Sequence, residues 1–308
     1  MKVAVVGIGG VGGYYGGKLA ARFSPGSEHE ILFFCRGAHL DAIRRDGLKL
    51  VAKDVDVVAR PALATGDAAD MGMVDVAIFA VKGYSLPEAA AAMRPAIGAS
   101  TVVIPVGNGV DNDEVLKRVL GVGRVLNGCV YISTHIEAPG VVEQTGGSRK
   151  LFFGSPDGAV EPYRDIEAML KDAGIDATLS DHILRDVWAK FIFIDAISGV
   201  TSLRGVTIGT VLGTPELRDM LEGLMREVEG LARRLDVGLP EGIVEQAIDR
   251  ASAFPPNTKT SMQLDVEKGA HTELDTMLGY VMRTGIERGI PTPRHTQVYG
   301  ALSRSVRR

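Results

Sequence analysis

The chain has 308 residues, 45% hydrophobic and 23% charged, with 34 basic and 38 acidic side chains for a formal net charge of −4. That composition suits a globular protein with room for two domains, and it lacks the basic excess of a nucleic-acid-binding surface. Cys35 and Cys129 stand far apart in no disulfide or metal-ligand pattern, and no apolar run reaches the length of a membrane span, so a reduced, cytoplasmic protein with no metal is expected.

Residues 2–6 read as a buried parallel strand that stops at Gly7-Ile8-Gly9-Gly10-Val11-Gly12. In this spacing the first glycine makes a tight turn, the second lets backbone approach a pyrophosphate, and the third lets the next helix pack close. That helix, expected over residues 11–22, would aim its free N–H groups at phosphate. Gly7, Gly9, Gly10, Val11 and Gly12 are therefore candidate cofactor contacts. The four apolar residues after Lys2 are too few for a secretory signal.

The segment Glu30-Ile31-Leu32-Phe33-Phe34-Cys35-Arg36-Gly37 reads as an apolar strand followed by a loop. An NAD-selective site places an acid here to accept bonds from the ribose. Arg36 instead offers a guanidinium that pairs with a 2′-phosphate through two parallel hydrogen bonds, which points to NADP(H). The other reading is a solvated surface arginine.

Helix is expected over 39–46, alternating strands at 48–50 and 55–58, and a strong buried strand over 74–81. Further helices follow at 86–93 and 111–119, with strands at 101–105, 124–126 and 130–132. Alternation of this kind implies a Rossmann-type doubly wound parallel sheet covered by helices. Glycine-rich pieces at 141–143 and 151–153 suggest antiparallel hairpins at the sheet edge, before a helix at 162–173 and a last strand at 177–179. From residue 180 the pattern is helical, with Ser180 or Asp181 capping a helix to about 203 and others at 215–235, 241–252 and 272–288. The expected organisation is a dinucleotide-binding domain over 1–179 and an all-helical substrate domain over 180–308. The basic ending Arg304-Ser305-Val306-Arg307-Arg308 reads as a solvated terminus.

Chemistry is expected where the strongest strands end. Lys82 follows one such strand and pairs with a phosphate or carboxylate, or is a solvated loop charge. Asn108 follows another, in Gly107-Asn108-Gly109, and both donates and accepts hydrogen bonds, or simply makes a turn. In the helical half, Lys190 stands among apolar and aromatic neighbours, and positions 190, 194, 198 and 201 share one helix face. Such a lysine either stretches out to water or lines a cleft as a proton donor.

Taken in order, these residues resemble the 2-dehydropantoate 2-reductases (ketopantoate reductases), NADPH enzymes of pantothenate biosynthesis. The resemblance runs from the glycine turn through Arg36, Val81-Lys82, Asn108-Gly109 and Trp188-Ala189-Lys190-Phe191 to Ser261-Met262-Gln263-Leu264-Asp265 and His271-Thr272-Glu273-Leu274-Asp275. It implies a 6-phosphogluconate-dehydrogenase-like plan, reduction of 2-dehydropantoate or a closely related branched 2-oxo acid, and Lys190 as proton donor to the ketone oxygen. It further implies that Glu273 orients substrate and lysine, that Ser261 binds the substrate carboxylate, and that Asn108 and Lys82 lie at the mouth for cofactor and substrate. His271 would help set the turn before Glu273. The family uses both monomers and homodimers.

Three positions depart from the family's pattern: Ile194 and Ser198 stand where it carries asparagines on the lysine helix, and Ser85 where it carries glutamine. Asp195 cannot substitute, because one helical step rotates it by about 100°. The substrate site at Ile194 and Ser198 is thereby more apolar, and discrimination for a hydroxyl-bearing substrate is weakened. Other hydroxyacid or opine dehydrogenases of the same plan, and a non-catalytic NADP(H)-sensing protein, are the competing readings.

Overall fold

The computed structural model describes residues 1–305, so the last three residues of the basic ending lie outside the described residues. The chain divides into two compact units: Met1–Gly107 with Asp111–Ile183, and Asn108–Val110 with Leu184–Arg308. The division after 179 expected from sequence differs in two respects. Residues 180–183 stay with the first unit because the Ser180 N–H donates to the Phe153 carbonyl at 2.8 Å. The tripeptide Asn108–Val110 joins the second unit because its asparagine side chain is bonded there.

The first unit opens with β1 (Lys2–Val6), α1 (Gly10–Arg22), β2 (Glu30–Phe34) and α2 (Gly37–Asp46). Then come β3 (Leu48–Ala52), β4 (Val55–Ala59), β5 (Leu63–Thr65), β6 (Val76–Phe79), α3 (Leu86–Met93), β7 (Val102–Pro105) and α4 (Asn112–Leu120). It closes with β8 (Arg124–Val125), β9 (Asn127–Ala138), β10 (Val141–Gly154), α5 (Arg164–Asp172) and β11 (Ala177–Leu179).

Six strands form a wholly parallel sheet in the order β5-β2-β1-β6-β7-β8, the order of doubly wound dinucleotide folds. Alternate residues of β1 feed opposite cores. Val3 and Val5 pack with Tyr14, Leu19 and Phe153, whereas Ala4 and Val6 pack with Phe79, Met93 and Leu116. A strand buried on both faces needs apolar residues at every position, which is why β1 reads as an unbroken apolar run.

The glycine-rich strands do not lie at the edge of this sheet. They form a second, mixed sheet, β11-β10-β3-β4, with β9 pairing β10. β10 carries β9 antiparallel on one edge and β3 and β11 parallel on the other, so no edge is left for the first sheet. α1 touches strands of both sheets.

The described secondary structure of the second unit is helical: α6 (Ile183–Arg204), α7 (Ile208–Gly213), α8 (Pro215–Arg234), α9 (Ile243–Ser252), α10 (Ser261–Glu267), α11 (Leu278–Arg288) and α12 (Pro293–Leu302). α8 is its organising element, packing on α7, α9, α11 and α12. Its buried stripe Leu221, Leu224, Met225, Val228, Leu231 and Ala232 recurs at helical spacing. Burying a leucine or valine of that stripe stabilises the unit by about 1.5–3 kcal/mol each. The helix expected from 272 begins only at Leu278, after a turn in which the Glu273 carbonyl accepts from the Met277 N–H and the Thr276 hydroxyl. Among the described residues no helix is long and apolar enough to cross a membrane.

Candidate active site

In the first unit the turn between β1 and α1 is a cradle that side chains would fill. Gly7 has φ +88°, and a Cβ there would meet Val81 Cγ1 at 2.4 Å. A Cβ at Gly12 would meet the Gly7 carbonyl oxygen at 1.9 Å, so α1 can pack against the turn only without one. A Cβ at Gly9 would meet nothing within 4 Å, which leaves that point open to a ligand. α1 has no side-chain cap hydrogen bond and no acid in its first turn, so no carboxylate there would compete with an anion for its first N–H groups. Gly10 and Val11 are the first residues of that helix. Beside them a Cβ at Gly10 would touch Thr134 Oγ1 at 2.7 Å, a sealed hydroxyl with no hydrogen-bond partner that the sequence reading missed.

Arg36 follows β2 at the N-cap position of α2. Its side chain is 80% exposed and its Nη1 donates to Glu88 Oε1 at 2.8 Å, a pair that is itself largely exposed. Such pairs contribute little and exchange readily for a better anion. Lys82 is half-buried in extended backbone just after β6, and Ser85 closes the same short turn.

In the second unit three predicted residues meet. Lys190 Nζ donates to Asn108 Oδ1 at 2.8 Å, and Asn108 Nδ2 donates to Glu273 Oε2 at 3.2 Å. The amide thus presents its oxygen to the cation and its N–H to the carboxylate, the one orientation that satisfies both. Lys190 is only 8% exposed and Glu273 3%, so the lysine does not stretch out to water. Burying two ionised groups is tolerable because each has a polar partner. Glu273 is set by a turn that the Thr272 hydroxyl helps to shape, accepting from Leu274 N–H at 3.4 Å. His271, just before it, is exposed.

The remaining predicted residues are spread along this unit. Ile194 is partly exposed one turn beyond Lys190, and Ser198 is buried two turns beyond, its hydroxyl without a partner. Ser261 is exposed at the first position of α10. Its neighbour Thr260 is the buried N-cap, accepting from Gln263 N–H and lying 3.0 Å from the Thr201 hydroxyl. Sequence reasoning missed Thr260, although Thr260-x-x-Gln263 has the spacing of a capping box. Only half of that box forms, since Gln263 Oε1, the atom that would accept from the Thr260 N–H, has no hydrogen-bond partner. Asp195, on another face of α6, is fully buried and accepts from His295. The strand pair β9–β10 also gathers His135, Glu137 and Glu143, largely on exposed surface, with ligand atoms within 4.8 Å; the sequence reading expected no metal and singled out none of the three.

Relatives share both units. The family model described as ketopantoate reductase PanE/ApbA matches residues 3–158, and its C-terminal counterpart matches residues 182–305. The uncharacterized oxidoreductase YkpB of Bacillus subtilis is 29% identical across 98% of each chain. A 2-dehydropantoate 2-reductase of Halobacterium salinarum is 30% identical across 95% of each. The crystal structure of 2-dehydropantoate 2-reductase from Porphyromonas gingivalis superposes with a TM-score of 0.84 at 31% identity, covering 98% of this chain and 99% of that one. With a glycine cradle in one unit, a buried lysine–amide–carboxylate row in the other, and both family models matched in order, the chain belongs to the ketopantoate reductase family of oxidoreductases.

Proposed function

We propose that the protein reduces 2-dehydropantoate, or a closely related branched 2-oxo acid, with NADPH. The observation that carries this reading is the buried Lys190 ammonium held 2.8 Å from Asn108 Oδ1, with Glu273 on the far side of the same amide. A reduced nicotinamide, when bound, supplies the hydride that turns the ketone carbon into an alcohol carbon. The cradle of Gly7, Gly9, Gly10, Val11 and Gly12 fits its pyrophosphate, because Gly9 is open and the α1 N-terminus is uncapped. Arg36 would exchange Glu88 for the 2′-phosphate, and Lys82 would add positive charge near the mouth.

Lys190 stabilises the negative charge that develops on the carbonyl oxygen, then gives it a proton from Nζ. With that hydride on carbon and the lysine's proton on oxygen the ketone becomes the alcohol, and Lys190 recovers its proton from water. Asn108 fixes the ammonium's direction before substrate arrives, which removes that ordering from the barrier. Glu273 holds the other end of the amide through its Oε2. Ser261, exposed at the start of α10, is the proposed partner of the substrate carboxylate.

The test is NADPH oxidation by purified protein with a panel of 2-oxo acids. Lys190→Ala should lower kcat by about 10²–10⁴-fold while cofactor affinity stays unchanged. Tight NADPH binding without turnover of any 2-oxo acid would sink the reading in favour of a cofactor sensor.

A further inference from the structure

We infer that Ile194 makes this protein select a 2-oxo acid whose branched side chain is purely hydrocarbon, in preference to one bearing a hydroxyl. The inference rests on the reductase reading and refines its substrate. From position 187 to position 202 of α6 every residue is buried except Ile194. It follows Lys190 by one turn on the same face, so the one side chain that this stretch of the helix leaves accessible is aliphatic, with no donor or acceptor.

The polar groups further along that row do not substitute for it. Ser198 lies one turn beyond Ile194, and its hydroxyl is sealed from solvent without a partner. The Thr201 hydroxyl donates to the Ile197 carbonyl at 2.8 Å and lies 3.0 Å from the Thr260 hydroxyl. A substrate hydroxyl laid against Ile194 would therefore leave water and gain no hydrogen bond, while a methyl group in its place would gain contact. An apolar wall rejects an added hydroxyl only moderately, so the expected discrimination is about tenfold to hundredfold.

Trimethylpyruvate and 2-dehydropantoate differ by one oxygen on an otherwise identical branched carbon skeleton, which makes them the probes. With NADPH, wild-type protein should show kcat/KM at least about tenfold higher for trimethylpyruvate, mainly through KM. Ile194→Asn should shrink or invert that ratio by improving 2-dehydropantoate. Calorimetric titration of each acid into protein saturated with NADP+ should give the same order of affinity. Equal or greater kcat/KM for 2-dehydropantoate in the wild type overturns the inference and leaves the reductase reading standing. A folded Ile194→Asn variant with an unchanged ratio removes Ile194 as the cause and overturns it as well. Turnover of neither acid overturns the inference, and turnover of no 2-oxo acid in the wider panel overturns the reductase reading as well.

Discussion

Asn108 does at the residue scale what neither charged partner does alone, since one planar amide fixes a cation and an anion at opposite ends. Arg36 is the opposite case, an exposed side chain whose present partner, Glu88, is 69% exposed and easily displaced. Arg36→Ala should raise KM for NADPH by about tenfold or more and leave KM for NADH nearly unchanged, read from steady-state kinetics with each cofactor. Equal losses for both would make the arginine a bystander. The glycine turn, Arg36, Asn108 and Lys190 drew attention in the sequence because each sits at a strand end or on a helix face, whereas Glu273 stood out only through the family resemblance. What was not legible is contact at long range. Nothing local to Lys190 says that its acceptor lies 82 residues upstream, or that Ile194 alone in its stretch of α6 meets solvent.

At the scale of elements, α6, α8 and α12 are joined by one buried histidine. His295 Nε2 lies 2.8 Å from Asp195 Oδ2, and its Nδ1 lies 2.7 Å from Glu227 Oε2. Burial alone would lower the imidazole pKa, but the charge of Asp195 and hydrogen bonds to both acids more than offset it and carry it up to about 9. A raised pKa means that the folded protein holds the proton more tightly than the unfolded chain. The resulting stability is full below the ordinary value of 6.5 and is lost as pH rises through about 9. Glu227 goes the other way: burial raises its pKa, but the His295 bonds outweigh that and lower it, so its contribution fades as pH falls below 4.5. Melting temperature should therefore decline between about pH 7 and about pH 9.5, and His295→Gln should melt lower with a flatter profile across that range. Removing the cation from between two buried acids costs about 3–5 kcal/mol. A wild-type profile as flat as the variant's would remove this account.

The same histidine explains why α12 was missed in the sequence. Its buried positions are His295, Val298 and Leu302, so an apparently polar residue occupies the core-facing stripe and breaks the apolar period. α7 and α10 were missed for a simpler reason, being six and seven residues long and too short to show a period. The β9–β10 pair was seen only as fragments because register shifts near Gly146 interrupt its alternation.

For the whole molecule, the telling feature is connectivity. The chain passes between its two units at Gly107, at Asp111 and again after Ile183, and the last passage falls at the start of α6 with no intervening linker. A fragment beginning at Leu184 would carry Lys190 and Glu273 but lack Asn108. It is expected to show at least about tenfold weaker binding of a 2-oxo acid than the full chain does in calorimetric titration. Comparable binding by the fragment would show that the amide is dispensable.

The excursion at Asn108–Val110 also limits how such a protein can be recombined. A chimaera that takes its helical half from a relative with a single crossover would set a foreign lysine and glutamate against the host's asparagine. Recombinants should work more often when this tripeptide travels with the helices it bonds to than when the joint is drawn at the obvious midpoint of the gene.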